Sequence, residues 1–353
     1  MRKKKKIGVF LLTAAIVFSA LVLPKTHAAG PIDINKNDCK ITVNFANNVY
    51  SAGTSTSFGE LETLGVEVRL YRVASVDVSG DFTGIGKFSG VDLSGMSIDE
   101  DDNAVAEYWE DKASEVKGIV DANASIEKFS KTTSAGEAIF TGLQTGLYLV
   151  DAQTKESTTN VYNFKPYLIA LPGNNYNPSV AASSDAWVYE ITVGLKPEKA
   201  DRYGDIKIVK NLNIYNETID GATFVFKVEA SKTDVDTKES KPVYSDVVAI
   251  DFNAPGMKEV LISDIPAGAK VTVTEVYTGA SYKLTSEASK ETVIIADGEP
   301  GAPATVDFSN TYDGYLNGGN GIVNSFIYSQ DAEGNAVWSH SAMSDSTSAQ
   351  PRQ

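Results

Sequence analysis

Between residues 205 and 312 the chain breaks into short runs that alternate apolar and polar residues, with turns at 213–216, 254–256, 266–268 and 298–301. A period of two sends successive side chains to opposite faces, so each run is a half-buried strand whose apolar face must be covered. Several such strands without an intervening helix predict a β-sandwich. The same alternation appears upstream, in Cys39-Lys-Ile-Thr-Val-Asn-Phe45 and in Gly65-Val-Glu-Val-Arg-Leu-Tyr-Arg-Val-Ala74, where Val66, Val68 and Leu70 share a face. Further strands are expected at 137–140, 146–150, 167–171 and 187–193.

One stretch departs from this pattern. From Asp99 to Asn123, Val105, Tyr108, Trp109, Val116, Ile119 and Val120 recur at three- and four-residue spacing, which predicts a helix. Its opening acids, Asp99, Glu100, Asp101 and Asp102, suit a helix N-terminus, where unpaired amides carry partial positive charge. The glycine and terminal glutamate of a calcium loop are missing from that run, and no metal site or cofactor is expected. The chain thus reads as mainly β, with a first domain over 39–198 carrying a helix near 99–123 and a second over 205–312. Residues 195–204, charged and holding Pro197, read as the linker. In 313–353 one more strand is expected, Gly321-Ile-Val-Asn-Ser-Phe-Ile-Tyr328, before a polar tail read as disordered. A weak repeat relates Phe140–Val150 to Ile262–Val273: each has a turn with glycine and an outgoing strand.

The N-terminus sets the compartment. Arg2 to Lys6 are basic, Ile7 to Leu23 are apolar, and Thr26-His27-Ala28-Ala29 offers small residues for cleavage, which makes 1–28 a secretory signal peptide. Cleavage there removes six of the 31 basic residues and none of the 46 acidic ones, taking the formal net charge from −15 to −21. So acidic a protein is a poor partner for nucleic acid or an anionic membrane, and no membrane insertion is expected after cleavage. Cys39 is the one cysteine, so no internal disulfide staples this exported chain. His27 leaves with the signal peptide and His340 lies in the polar tail, so the two domains hold no histidine for acid–base chemistry or metal binding. The chain is not expected to be an enzyme.

Three residues stand out against this background. The first strand of the second domain, Asp-Ile-Lys-Ile-Val-Lys210, carries a lysine. The last, Val306-Asp-Phe-Ser-Asn310-Thr-Tyr312, carries an asparagine, and Val271-Thr-Val-Thr-Glu275 between them carries a carboxylate. These are the parts of a self-made covalent cross-link. In water an amine does not displace ammonia from a carboxamide, because the amine is protonated. Burial lowers the lysine pKa and raises that of the glutamate until a neutral amine faces a protonated acid. That acid can polarise the amide and carry protons to the departing ammonia, while folding holds the reactants in contact. In this reading Lys210 is the nucleophile, Asn310 the electrophile and Glu275 the proton carrier. Lys207, expected on the same face of the strand, and Asn324, on the late strand Val323-Asn-Ser-Phe326, are the alternatives.

The order of these residues resembles the Cna protein B-type (CnaB) domains of Gram-positive surface proteins and sortase-assembled pilins. The family places its glutamate in a Thr-Val-Thr-Glu stretch after a Pro-x-Gly turn, as in Pro266-Ala-Gly268 and Thr272–Glu275, and ends on Asn-Thr-Tyr, as in Asn310–Tyr312. The first domain is similar to the N-terminal domain of backbone pilins in Gly146–Val150, Tyr167-Leu-Ile-Ala-Leu-Pro172, Trp187-Val-Tyr189 and Lys196-Pro197. The resemblance implies two tandem Ig-like, CnaB-type sandwiches in a structural subunit of a pilus or pilus-like fibre at the cell wall. Its implied partners are other pilin subunits and a sortase, with a host or matrix ligand possible. A secreted or wall-associated adhesin that does not polymerise is the alternative. The resemblance also implies a proline-adjacent lysine as sortase acceptor: Lys196, with Lys199 second, although the local order is Lys-Pro where the motif has Pro-Lys. Sortase substrates end in Leu-Pro-x-Thr-Gly, an apolar segment and basic residues. The sequence to Gln353 holds none of these: either it stops short of the signal or attachment happens another way, and a subunit lacking the signal could accept a partner but could not pass one on. In the first domain the position matching Glu275 falls on Ala152 or Gln153, so either no cross-link is expected there or one built from other residues.

Overall fold

A computed structural model describes residues 30–45, 59–95, 102–174, 186–218, 220–234, 238–315, 323–331 and 336–343. The expected signal peptide and the tail beyond 343 lie outside the described residues. The chain is mainly β and divides into two compact units, one holding residues up to 155 and 162–198, the other 156–161 and 199 onward. Among the described residues no helix is long and apolar enough to cross a membrane.

In the first unit Cys39–Asn44 is the middle strand of three, parallel to Glu190–Gly194 and antiparallel to Glu137–Leu143. A second sheet is built on Glu67–Val76, Gly146–Ala152 and Tyr167–Leu171. Ile41, Val43 and Phe140 of the first sheet share a core with Val68, Leu70 and Val150 of the second. On the other side of the second sheet the helix Asp102–Ala122 lays Trp109, Ala113 and Val116 over Tyr71, Val73 and Leu149. Gly146–Ala152 and Tyr167–Leu171 are therefore buried along their whole length. That explains the apolar runs Gly146–Val150 and Tyr167–Leu171, since a strand covered on both faces has no polar side to alternate with. Trp109 is buried in this helix–sheet core.

Residues 195–204 contain the strand Pro197–Asp201 and the start of Tyr203–Leu212, and the division between the units falls after Glu198. Glu198, Lys199, Ala200 and Asp201 are exposed. Backbone pairing rather than burial makes this strand, which a hydrophobic pattern does not signal.

The second unit is a pair of four-stranded sheets. One runs Gly256–Pro266, Tyr203–Leu212, Ala304–Tyr312, Tyr282–Leu284; the other runs Ser240–Phe252, Ala222–Thr233, Lys270–Tyr277, Ser289–Val293. The opening strand Tyr203–Leu212 and the closing strand Ala304–Tyr312 are parallel neighbours, in register from Ile206↔Ala304 to Leu212↔Asn310. The turn with glycine found in sequence falls between Gly256–Pro266 and Lys270–Tyr277, as its counterpart falls between Glu137–Leu143 and Gly146–Ala152. Ile206, Ile208, Val306 and Phe308 on one sheet meet Phe224, Phe226, Val271 and Val273 on the other. Gly204 admits the opening strand, because a Cβ there would overlap the Ile295 carbonyl. Residues after 313 differ from expectation: Val323–Gln330 pairs with a second strand, Ala336–Met343, as a hairpin. The short apolar run Ala336-Val-Trp338, set in polar sequence, gave no sign of that strand. Trp338 packs edge-on to Tyr328, with ring centres 5.3 Å apart, and its N–H donates to Ser245 Oγ at 3.2 Å.

Candidate functional site

The opening strand points Gly204, Ile206, Ile208, Lys210 and Leu212 inward, and the closing strand points Ala304, Val306, Phe308 and Asn310 inward. Lys210 thus occupies an interior position that the pattern otherwise gives to an aliphatic side chain. Register places it beside Phe308 and sets Asn310 beside Leu212, two positions further along the neighbouring strand. Glu275 reaches the same point from the facing sheet, where its strand pairs it with Phe226. One strand pairing and one sheet-to-sheet packing therefore bring together three residues separated by up to 100 positions.

The three side chains form a closed ring. Lys210 Nζ donates to Glu275 Oε2 at 2.6 Å and to Asn310 Oδ1 at 2.7 Å, and Asn310 Nδ2 donates to Glu275 Oε1 at 2.6 Å. A fourth contact runs from Asn310 Nδ2 to the carbonyl oxygen of Thr278 at 3.4 Å. The side chains of Lys210 and Glu275 are both 0% exposed, as is Asn310 as a whole. Aromatic rings close the surroundings: Lys210 Nζ lies 4.5 Å from the centre of Phe224 and 5.5 Å from that of Phe226, which in turn packs at 5.1 Å on Phe308.

Taking two charges out of water costs several kcal/mol per ion even after relaxation, so such a pair tends toward neutrality. Burial pulls the Lys210 amine down to about 8, against the opposing attraction of Glu275. Burial likewise pushes the Glu275 carboxyl above its ordinary value, against the hydrogen bonds from Lys210 and Asn310. The two shifts run toward each other, and both favour the neutral forms of the pair. The carboxyl group touches both nitrogens, while Oδ1 accepts from Lys210. That geometry suits proton transfer between the nitrogens more directly than polarisation of the carbonyl by the acid.

The sequence alternatives lie elsewhere. Lys207 is three residues from Lys210, an odd separation that turns it to the opposite face. It sits half-exposed there in an ion pair with Glu259 at 3.2 Å, so the expectation that it shares Lys210's face is corrected. Asn324 pairs through its backbone with Ala342 in the separate terminal hairpin, and its side chain lies outside the described residues. In the first unit the inward positions of the strand Cys39–Asn44 are Cys39, Ile41 and Val43, with no amine among them. Lys196 is half-buried with its Nζ 5.5 Å from the ring centre of Tyr167, and burial lowers its pKa. Lys199 pairs with Asp234 at 3.7 Å. Sequence reasoning missed the Thr278 carbonyl and the rings of Phe224, Phe226 and Phe308. The one available signal was the phenylalanine recurring at inward positions of Ala222–Thr233 and Ala304–Tyr312.

Residues 206–313 match a family model described as a domain of unknown function, DUF5979, which spans the whole ring. No curated protein matches the chain. Among solved structures, the chain is similar to the minor pilin GBS52 of Streptococcus agalactiae, at 15% identity over 78% of this chain and 96% of that one, with a TM-score of 0.21. It is also similar to the full-length major pilin SpaD of Corynebacterium diphtheriae, at 11% identity over 80% and 99%, TM-score 0.25. The major pilin SpaA of the same organism matches at 12% identity over 77% and 100%, TM-score 0.25.

Proposed function

We propose that this chain is a structural subunit of a Gram-positive pilus or pilus-like surface fibre, and that its second unit joins Lys210 to Asn310 through an intramolecular amide. The observation that carries the reading is the sealed ring of Lys210, Glu275 and Asn310 between the first and last strands of that unit. An ordinary structural role explains it poorly. A buried ion pair rarely adds stability over apolar residues of the same volume, whereas a reaction that consumes the amine removes the cost of burying it.

The chemistry follows from the contacts. The neutral Nζ of Lys210 attacks Cγ of Asn310, and protonated Glu275 passes its proton from Oε1 to Nδ2. The Cγ–Nδ2 bond breaks, ammonia leaves, and Oε2 takes the displaced Nζ proton. The product holds one new amide, and Glu275 regains its starting state. The step occurs once per molecule without turnover, driven by contact geometry that folding alone provides. Export through the sequence at 1–28 would deliver the subunit to the cell wall, and a sortase would join a neighbouring subunit to Lys196, with Lys199 second. The desolvated, half-buried amine of Lys196 supports that choice. Adhesion to a host or matrix ligand would be a property of the assembled fibre.

Intact mass of the purified mature chain tests the bond, which should lower the weight by ~17 Da, the mass of the ammonia released. A weight equal to the plain sum of the residues would exclude it. Denaturing gels of cell-wall extracts test assembly. A ladder that Lys196→Arg collapses supports the fibre. Discrete monomers with saturable matrix binding would replace it with the free adhesin.

A further inference from the structure

The geometry points to Thr278 as the residue that makes the cross-linking site selective for an amide electrophile over a carboxylic acid, through its main-chain carbonyl. This rests on the reading of Lys210, Glu275 and Asn310 as a bond-forming set, and it concerns what that set accepts. Asn310 has two N–H bonds, and each has its own acceptor: Glu275 Oε1 at 2.6 Å and the Thr278 oxygen at 3.4 Å. Its carbonyl oxygen accepts from Lys210 Nζ at 2.7 Å. The two ends of a carboxamide have nearly the same shape, so orientation depends on partners. Glu275 alone does not decide it, because a carboxyl group accepts from an N–H when ionised and donates to an oxygen when protonated. The Thr278 carbonyl can only accept. It therefore holds Nδ2 on its own side, which leaves Cγ open to Nζ and keeps the departing nitrogen on the carboxyl that hands it a proton.

An aspartate at 310 loses both donors. One of its oxygens would face the Thr278 carbonyl and Glu275 Oε1 together, offering at most one proton to two acceptors. Buried acceptors left facing one another are costly, so this side chain is driven out of the reactive pose. The reaction with an acid would otherwise balance as the amide reaction does, the Cγ–O bond breaking and water leaving in place of ammonia. The carbonyl at 278 belongs to the segment between Lys270–Tyr277 and Tyr282–Leu284, outside any paired strand, so strand pairing does not already commit it.

The test compares the intact mass of the mature wild-type chain with that of Asn310→Asp after the same folding time at neutral pH. The expected result is loss of ~17 Da in the wild type, and a folded Asn310→Asp protein at its full residue weight, at least tenfold slower to lose ~18 Da of water. Failure of the wild type to lose ammonia would remove the bond-forming reading itself. A wild type that reacts alongside an Asn310→Asp protein that loses water at a comparable rate would overturn the selectivity alone. Should Asn310→Asp not fold, Glu275→Gln supplies the answer, since it keeps the shape of the site and leaves Asn310 unreacted. Both Nδ2 protons of Asn310 should then exchange slowly with solvent by NMR. Exchange of either proton as fast as in an exposed asparagine side chain would refute the role of Thr278.

Discussion

Replacing Lys210 by methionine would separate the contribution of the proposed amide from the rest of the second unit's stability. The substitution removes the nucleophile and its buried charge while filling the space beside Phe224 and Phe226 with an unbranched apolar chain. Asn310 keeps its bonds to Glu275 and Thr278. What disappears is the amide proposed between residues 100 positions apart. By the chain-entropy argument used for disulfides, closing a loop of about 100 residues removes about 4.7 kcal/mol of freedom from the unfolded state. A domain of this size moves by about 4–8 °C per kcal/mol, so the second unit should melt about 19–38 °C lower in Lys210→Met than in the wild type. Differential scanning calorimetry of the whole mature chain reads this directly, and the first unit's transition serves as an internal reference. Glu275→Ala should fall further, by about 3–5 kcal/mol beyond the loop term, because it also strands Lys210 in the core without its partner. If Lys210→Met melts within about 5 °C of the wild type, the loop-closure argument is wrong for this domain.

Three further outcomes are expected. During refolding, the rate of ammonia loss should fall as pH rises past about 8, because the neutral amine and protonated Glu275 together hold one proton and the buried pair loses it there. A rate still climbing toward the ordinary lysine value of about 10.4 would show an exposed amine instead. Lys207→Ala should keep the full mass loss and change stability by at most about 1 kcal/mol, since it removes only a half-exposed pair with Glu259. Trp109→Ala should cost the first unit about 3–5 kcal/mol in chemical denaturation by emptying its helix–sheet core, with the ammonia loss unchanged.

Much of the second unit could be read from its residues because the signals involved are local. Alternation gives the strands, and parity gives the face of each side chain, so Lys210 and Asn310 show themselves as polar residues on apolar faces. Parity also decides against Lys207, where the expectation of a shared face did not follow from its odd spacing. The rest arises through space. Nothing in the sequence says that the backbone between Lys270–Tyr277 and Tyr282–Leu284 turns the Thr278 carbonyl toward Asn310, nor that Phe224 and Phe226 stand over the amine. In the first unit the helix was legible from its spacing. The three-layer order became plain only once the uninterrupted burial of Gly146–Ala152 was seen to come from a sheet on one side and that helix on the other. The strands Pro197–Asp201 and Ala336–Met343 rest on backbone pairing in polar sequence, which leaves no hydrophobic trace.

The side-by-side, same-direction course of Tyr203–Leu212 and Ala304–Tyr312 has a mechanical meaning. Tension applied to the two ends of this unit enters at Tyr203, leaves near Tyr312, and drags the two strands lengthwise past each other. If the proposed amide joins Lys210 to Asn310, the pull would cross from one strand to the other at that single bond and never reach the intervening polypeptide. That slack stays folded while the backbone at both ends is taut, so a fibre strung from such units would stretch hardly at all before a covalent bond broke.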